Sequence, residues 1–120
     1  MKATIREITL TNGEPIASFA PRQSEFETTV QLIIGPEHGP GEELFDVTVC
    51  SAAAYLKKMN VKGYAWSHAI LAVDQFEPGL ITRALKELVG SVEGSEWNAL
   101  VQQLRKFLRW EFDEFNQRKA

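Results

Sequence analysis

Two runs of alternating apolar residues, separated by an octapeptide that no regular element can hold, constrain this chain more than any other feature. From Phe26 to Ile34 the even positions Phe26, Thr28, Val30, Leu32 and Ile34 alternate with Glu27, Thr29, Gln31 and Ile33. Phe45, Val47 and Val49 then alternate with Asp46, Thr48 and Cys50. A period of two places one set of side chains on each face of a strand. Between the runs, Gly35-Pro36-Glu37-His38-Gly39-Pro40-Gly41-Glu42 is too rich in glycine and proline for helix or strand. The pattern predicts an antiparallel pair joined by a shaped surface loop.

The rest of the chain supplies partners for that pair. Ile5, Ile8 and Leu10 mark a first strand over 2–10 that closes at the turn dipeptide Asn12-Gly13, and Pro15 and Pro21 make 11–23 mostly loop. Ser51 offers an N-cap hydroxyl to a short alanine-rich helix over 52–58, with Asn60 and Gly63 as stops. The segment 66–73, with its apolar run Ile70-Leu71-Ala72-Val73, reads as a fourth, more central strand. Pro78 opens a helix whose pairs Leu80/Ile81, Ala84/Leu85 and Leu88/Val89 recur at helical spacing as far as Gly90. Ser95 caps a final helix running to about Gln117, long enough to cross the whole domain. The expected fold is therefore α+β: an antiparallel sheet of about four strands, helices packed on one face, and a long C-terminal helix. A chain of 120 residues forms one domain, residues 1–120, and buries roughly two-thirds of its unfolded surface.

Projected at about 100° per residue, the last helix gathers Trp97, Leu100, Val101, Leu104, Phe107, Leu108, Phe112 and Phe115 into one stripe, with Trp110 at its edge. Glu111 falls inside the same stripe, and a buried carboxylate needs donors. The preferred reading makes Glu111 a structural polar tether, bonded to backbone N–H groups of the glycine-rich loop or to an arginine. The competing reading makes it an acid/base or partner-binding group, which lacks the second group that such chemistry requires.

Composition excludes several classes. An apolar fraction of 44% with 24% charged residues is that of an ordinary globular domain. The single cysteine, Cys50, permits no intramolecular disulfide, and no Cys/His spacing suggests zinc, so no metal and no cofactor is expected. Charges within Met1–Glu7 do not suit a secretory signal, and no apolar run reaches membrane-spanning length, so a soluble cytoplasmic protein without membrane contact is expected. Residues 14–50 carry seven acidic side chains against Arg22 alone, a local charge of −6, whereas the last sixty residues balance. Such a region repels phosphate backbones and favours a basic protein partner over nucleic acid. The basic residues Arg105, Lys106 and Arg109 are followed at once by acids and form a mixed-charge face. The glycines of 35–42 lack the lysine and following helix of a phosphate-binding loop.

Cys50, His68 and Asp46 alone could form a nucleophilic set, giving the alternative of a small hydrolase or transferase built on Cys50/His68. The blander reading, a small buried cysteine and a core-edge histidine, is preferred. A third alternative is a homodimeric interaction module with an apolar patch around Trp66 or Trp110.

The run Gly41-Glu42-Glu43-Leu44-Phe45-Asp46-Val47-Thr48-Val49-Cys50, the late Trp97 and the ending Trp110-Glu111-Phe112-Asp113-Glu114-Phe115 together resemble the immunity protein 8 family of bacterial polymorphic toxin systems. The likeness runs from the first strand to about Phe115; the alanines at 52–54 and Phe115, where an aromatic hydroxyl is expected, depart from it. The resemblance implies an α+β protein, without a catalytic set, that binds and neutralises a cognate toxin in the cytoplasm. The family's shared residues map onto Phe45-Asp46 and Trp110-Glu111-Phe112. Combined with the acidic region, it points to a basic toxin such as a nuclease and to Glu37, His38, Glu42 and Glu43 as partner-binding residues.

Overall fold

The computed structural model describes residues 1–113. Its sheet contains β1 (Ala3–Leu10), β2 (Glu27–Pro36), β3 (Glu43–Ser51), β4 (Ile70–Val73) and β5 (Arg109–Trp110), and its helices are α1 (Ala52–Lys62), α2 (Pro78–Ser91) and α3 (Trp97–Leu104). The strands β1, β2 and β3 form an antiparallel meander in which β2 and β3 are the pair expected. Val30, Leu32 and Ile34 of β2 lie beside Val47 and Phe45 of β3 and are buried with them. The alternation read from the sequence is thus the core face of the sheet.

The first strand reaches that face by a less regular route. Ala3 and Ile5 share one parity and Ile8 and Leu10 the other, yet all four face the core because the register slips by one residue between Ile5 and Glu7. The extra residue of this β-bulge is Arg6.

The fourth strand pairs with β3 in parallel and lies at the sheet edge, which corrects the expected central antiparallel position. A parallel neighbour needs a crossover helix, and α1 supplies it. The buried Ser51 is the hinge: its Oγ accepts from the backbone N–H of both Ala54 and Phe26, each at 3.1 Å, and Gly63 ends α1 in the left-handed conformation. No residue of α1 is buried. Coverage of the core face falls instead to α2, through Ile81, Leu85 and Val89, and to α3, through Leu100, Val101 and Leu104.

The largest departure is at the C-terminal end. The expected helix from Ser95 to Gln117 stops at Leu104 after eight residues, and its N-cap is Glu96 rather than Ser95. Phe107 and Leu108 both donate to the Leu104 carbonyl in a closing turn, after which Arg109 and Trp110 pair with Asp46 and Phe45 as β5. Beside Phe45 and Asp46 the outer edge of β3 lies beyond the reach of β4, and β5 satisfies the backbone groups there. The turn keeps Leu108 in the core but releases Phe107 and Phe112, which are 54% and 47% exposed. The part of the expected helix beyond Asp113, with Phe115 and Gln117, lies outside the described residues.

Candidate partner-binding site

The loop between β2 and β3 is built around a side chain from another strand. β2 runs on through Gly35 and Pro36, expected as loop, because both pair with β1. Arg6, carried on the bulge of β1, donates to the carbonyls of Pro36 at the end of β2, at 3.1 Å, and of Gly39 and Gly41 in the loop, at 3.0 Å and 2.7 Å. Its guanidinium also stands 3.5 Å from the Glu42 carboxylate. A planar fork with several N–H donors suits such a set of acceptors, whereas a lysine ammonium does not. The guanidinium lies against Gly35, where a Cβ would come within 2.4 Å of Arg6 Cζ and 2.5 Å of the Gly41 carbonyl oxygen. Gly39 and Gly41 hold positive φ angles of 103° and 109°, which bend the chain around the arginine.

Outside this ring stand the proposed contacts. Glu37 and Glu42 are exposed, and His38, with its side chain 91% exposed, lies 3.2 Å from the Glu37 carboxylate. Glu43 is half-buried and accepts from Trp110 Nε1 at 3.2 Å, which makes it a strut between β3 and β5.

The two segments that carry the family resemblance meet here. Phe45 pairs with Trp110 and Asp46 with Arg109; Arg109 binds the Asp46 carboxylate and donates to Thr48 Oγ1 at 2.8 Å. Arg105 stacks over Trp110 at 5.2 Å while also engaging Asp113, and Phe112 meets Trp110 edge-on with centroids 5.0 Å apart. Glu111, expected as a buried tether, is exposed: β5 interrupts the expected helix, and the helical turn over 111–113 that follows does not continue the inward stripe of α3. The tie to the glycine-rich loop is made instead by Arg6, with the opposite polarity: a cation on carbonyls rather than a carboxylate on N–H groups. The sequence signal for it was the irregular Ile5/Ile8 spacing, which betrays the bulge.

Folding also redistributes charge. Four acids of the −6 region meet basic side chains from elsewhere: Glu25 with Lys57, Glu27 with Lys58, Glu42 with Arg6 and Asp46 with Arg109. The bare acidic face implied by counting is therefore much reduced, and what remains around the loop is local.

Cys50, His68 and Asp46 do not form a site. By register Cys50 sits beside Ala72 of β4, whereas His68 lies outside that strand, in the bend that precedes Ile70. His68 Nε2 is engaged with the Arg105 carbonyl at 2.9 Å, and Asp46 is held by Arg109. Burial, reinforced by the Glu27 carboxylate and opposed by Lys58, pushes the buried Cys50 thiol above its ordinary range. A thiol with a raised folded-state pKa retains its proton after the unfolded chain has lost its own. Its contribution therefore falls as pH climbs through and above the ordinary thiol range. The expected result is that a thiol reagent at neutral pH modifies native Cys50 at least about a hundredfold more slowly than the denatured chain; equal rates would place the sulfur at the surface. A cleft of about 640 Å³ lined by Phe19, Phe26 and Phe76 contains neither Cys50 nor His68.

One exposed feature lies apart from the loop. Trp66 is 90% exposed in the α1–β4 connection, close in sequence to the exposed Tyr64 and Val61. Among the described residues no helix is long and apolar enough to cross a membrane.

Compared with known proteins, residues 3–115 match a family model described as immunity protein 8. No curated protein and no solved structure matches the chain.

Proposed function

The chain belongs to the immunity protein 8 family, and we propose that it acts in the cytoplasm by binding a cognate protein toxin and neutralising it, with no chemistry of its own. The family match over residues 3–115 carries this reading. The separation of Cys50 from His68 supports its non-enzymatic part. The contact surface we assign to Glu37, His38 and Glu42 on the loop held by Arg6, with Glu43 bracing it through Trp110. A basic toxin, such as a nuclease with a cationic cleft, suits exposed carboxylates on a shaped loop, and their charge acts mainly on the rate of encounter.

The test of the function is capture of the tagged protein from its own producing cells at low and moderate salt, with mass spectrometry of what stays bound. One stoichiometric partner with a C-terminal toxin domain is expected; recovery of the protein alone overturns the reading. Within the complex, Glu37→Lys is the clean probe of the loop, since Glu37 is exposed and its carboxylate lies against the neighbouring His38 rather than Arg6. Association should slow about two- to tenfold and its salt dependence should flatten. Unchanged rates at both salt concentrations would move the contact elsewhere.

A homodimer is the second reading, favoured by the 90% exposure of Trp66. Light scattering should then give twice the chain mass for the wild type and the monomer mass for Trp66→Ser; a monomeric wild type ends it.

A further inference from the structure

We infer that Arg6 is a positioning residue for toxin binding: it holds the 37–42 loop in one shape before a partner arrives, so that the loop meets the toxin preformed. This rests on the reading above that the loop is the contact surface. Left to itself, a six-residue connection with glycines at two positive φ angles has many shapes open to it. Of the three carbonyls taken by Arg6, those of residues 39 and 41 lie in the loop and that of Pro36 ends β2, so one side chain ties the loop to its own base. Turning those carbonyls inward leaves the Glu37 and His38 side chains outward.

The supporting parts lie in three separate places in the chain. The bulge supplies the extra residue on β1. Gly35 leaves the floor flat enough for the guanidinium to lie on it, and Gly39 and Gly41 supply the bends. Pairing of β1 with β2 and of β2 with β3 already runs the length of those strands, so the ladder does not need the arginine. The effect of Arg6 therefore falls on the loop rather than on the fold. Affinity scales with the fraction of molecules in the binding shape: if that fraction falls to about a tenth, the apparent Kd rises about tenfold.

The test compares the wild type with Arg6→Lys, which keeps the charge but cannot fork to three carbonyls. Three quantities are read: NMR backbone order parameters at Gly39, Gly41 and Glu42 in the free protein, binding kinetics with the toxin domain captured by the wild type, and the denaturant midpoint. The expected result is loop order parameters that fall from about 0.85, the rigid-backbone value, to below about 0.6, a Kd about tenfold weaker with most of the loss in association, and a midpoint almost unmoved. Unaltered order parameters show that Arg6 does not hold the loop and overturn the inference. So does a loosened loop with an unchanged Kd; if Glu37→Lys still weakens that complex, the loop remains the contact and only the positioning role is lost. If neither variant affects binding, the loop assignment falls with it, and failure to capture any toxin ends both.

Discussion

Gly35→Ala costs the protein about 1–3 kcal/mol of stability and detaches Arg6 from the loop. The new methyl group would sit 2.4 Å from Arg6 Cζ, 2.7 Å from Arg6 Nε and 2.5 Å from the Gly41 carbonyl oxygen. The guanidinium is the end of a flexible side chain and can swing into water, giving up its three carbonyl acceptors. The Gly41 carbonyl is backbone, and it can retreat only if the loop moves. Both responses undo the ring; the cost in stability is the overpacking against the Gly41 backbone, while the lost arginine bonds loosen the loop rather than the fold. A double-mutant cycle with Arg6→Ala separates the parts. With the arginine gone, only the Gly41 contact remains to be relieved, so the two substitutions together should cost less than their sum. Gly79→Ala is the control: a Cβ there meets nothing within 4 Å in the first turn of α2, and replacing glycine in a helix is neutral to slightly stabilising. Denaturant midpoints measure the wild type and the four variants, and a Gly35→Ala midpoint equal to the control would show that the Gly41 backbone yields to the methyl group without cost.

What the sequence disclosed, and what it concealed, follows from how far apart the interacting residues lie. The alternation in 26–34 and 45–50 records a local geometry, and β2 and β3 appear where it places them. Ser51 and Gly63 likewise act within a few residues of themselves, and α1 begins and ends there. The loop was legible as a loop, but its tie was not, because Arg6 reaches across |i−j| separations of 30 to 35 residues to find its acceptors. The acidic count of residues 14–50 was legible too, although Lys57, Lys58, Arg6 and Arg109 neutralise four of its members only after folding. The parallel pairing of β4 depends on the path of the crossover, which a short apolar run does not encode. The family likeness rested on the run 41–50, Trp97 and the ending 110–115, and the family's shared residues map onto Phe45-Asp46 and Trp110-Glu111-Phe112. In the fold Phe45 pairs with Trp110 and Asp46 with Arg109, so those shared residues meet in a seam between β3 and β5, and Glu111 stands exposed beside it.

The end of α3 gives the sharpest contrast between periodicity and tertiary structure, and two substitutions measure it. Leu104 and Phe112 belong to the same stripe of a continuous helix, and on that pattern either truncation to alanine should be equally damaging. In the fold Leu104 is fully buried among the core residues, and its carbonyl closes the turn that ends the helix. Phe112 is 47% exposed, and its aromatic contact is with the edge of Trp110. Leu104→Ala should therefore cost about 2–5 kcal/mol, the range for a large-to-small change in a close-packed core. Phe112→Ala should cost about 1 kcal/mol, the scale of one aromatic pair. No proline or glycine lies between Leu104 and Trp110, so helix propensity gives no reason to stop. The competing interaction is the unpaired edge of β3 at Phe45 and Asp46, which gains backbone partners, the Arg109 ion pair and the Trp110 bond to Glu43 only if the helix ends. Breaking that seam with Asp46→Ala therefore weakens the reason to stop. Chemical denaturation of the three variants gives the order Leu104→Ala, then Asp46→Ala, then Phe112→Ala in loss of stability, and equal losses for Leu104→Ala and Phe112→Ala would restore the continuous helix.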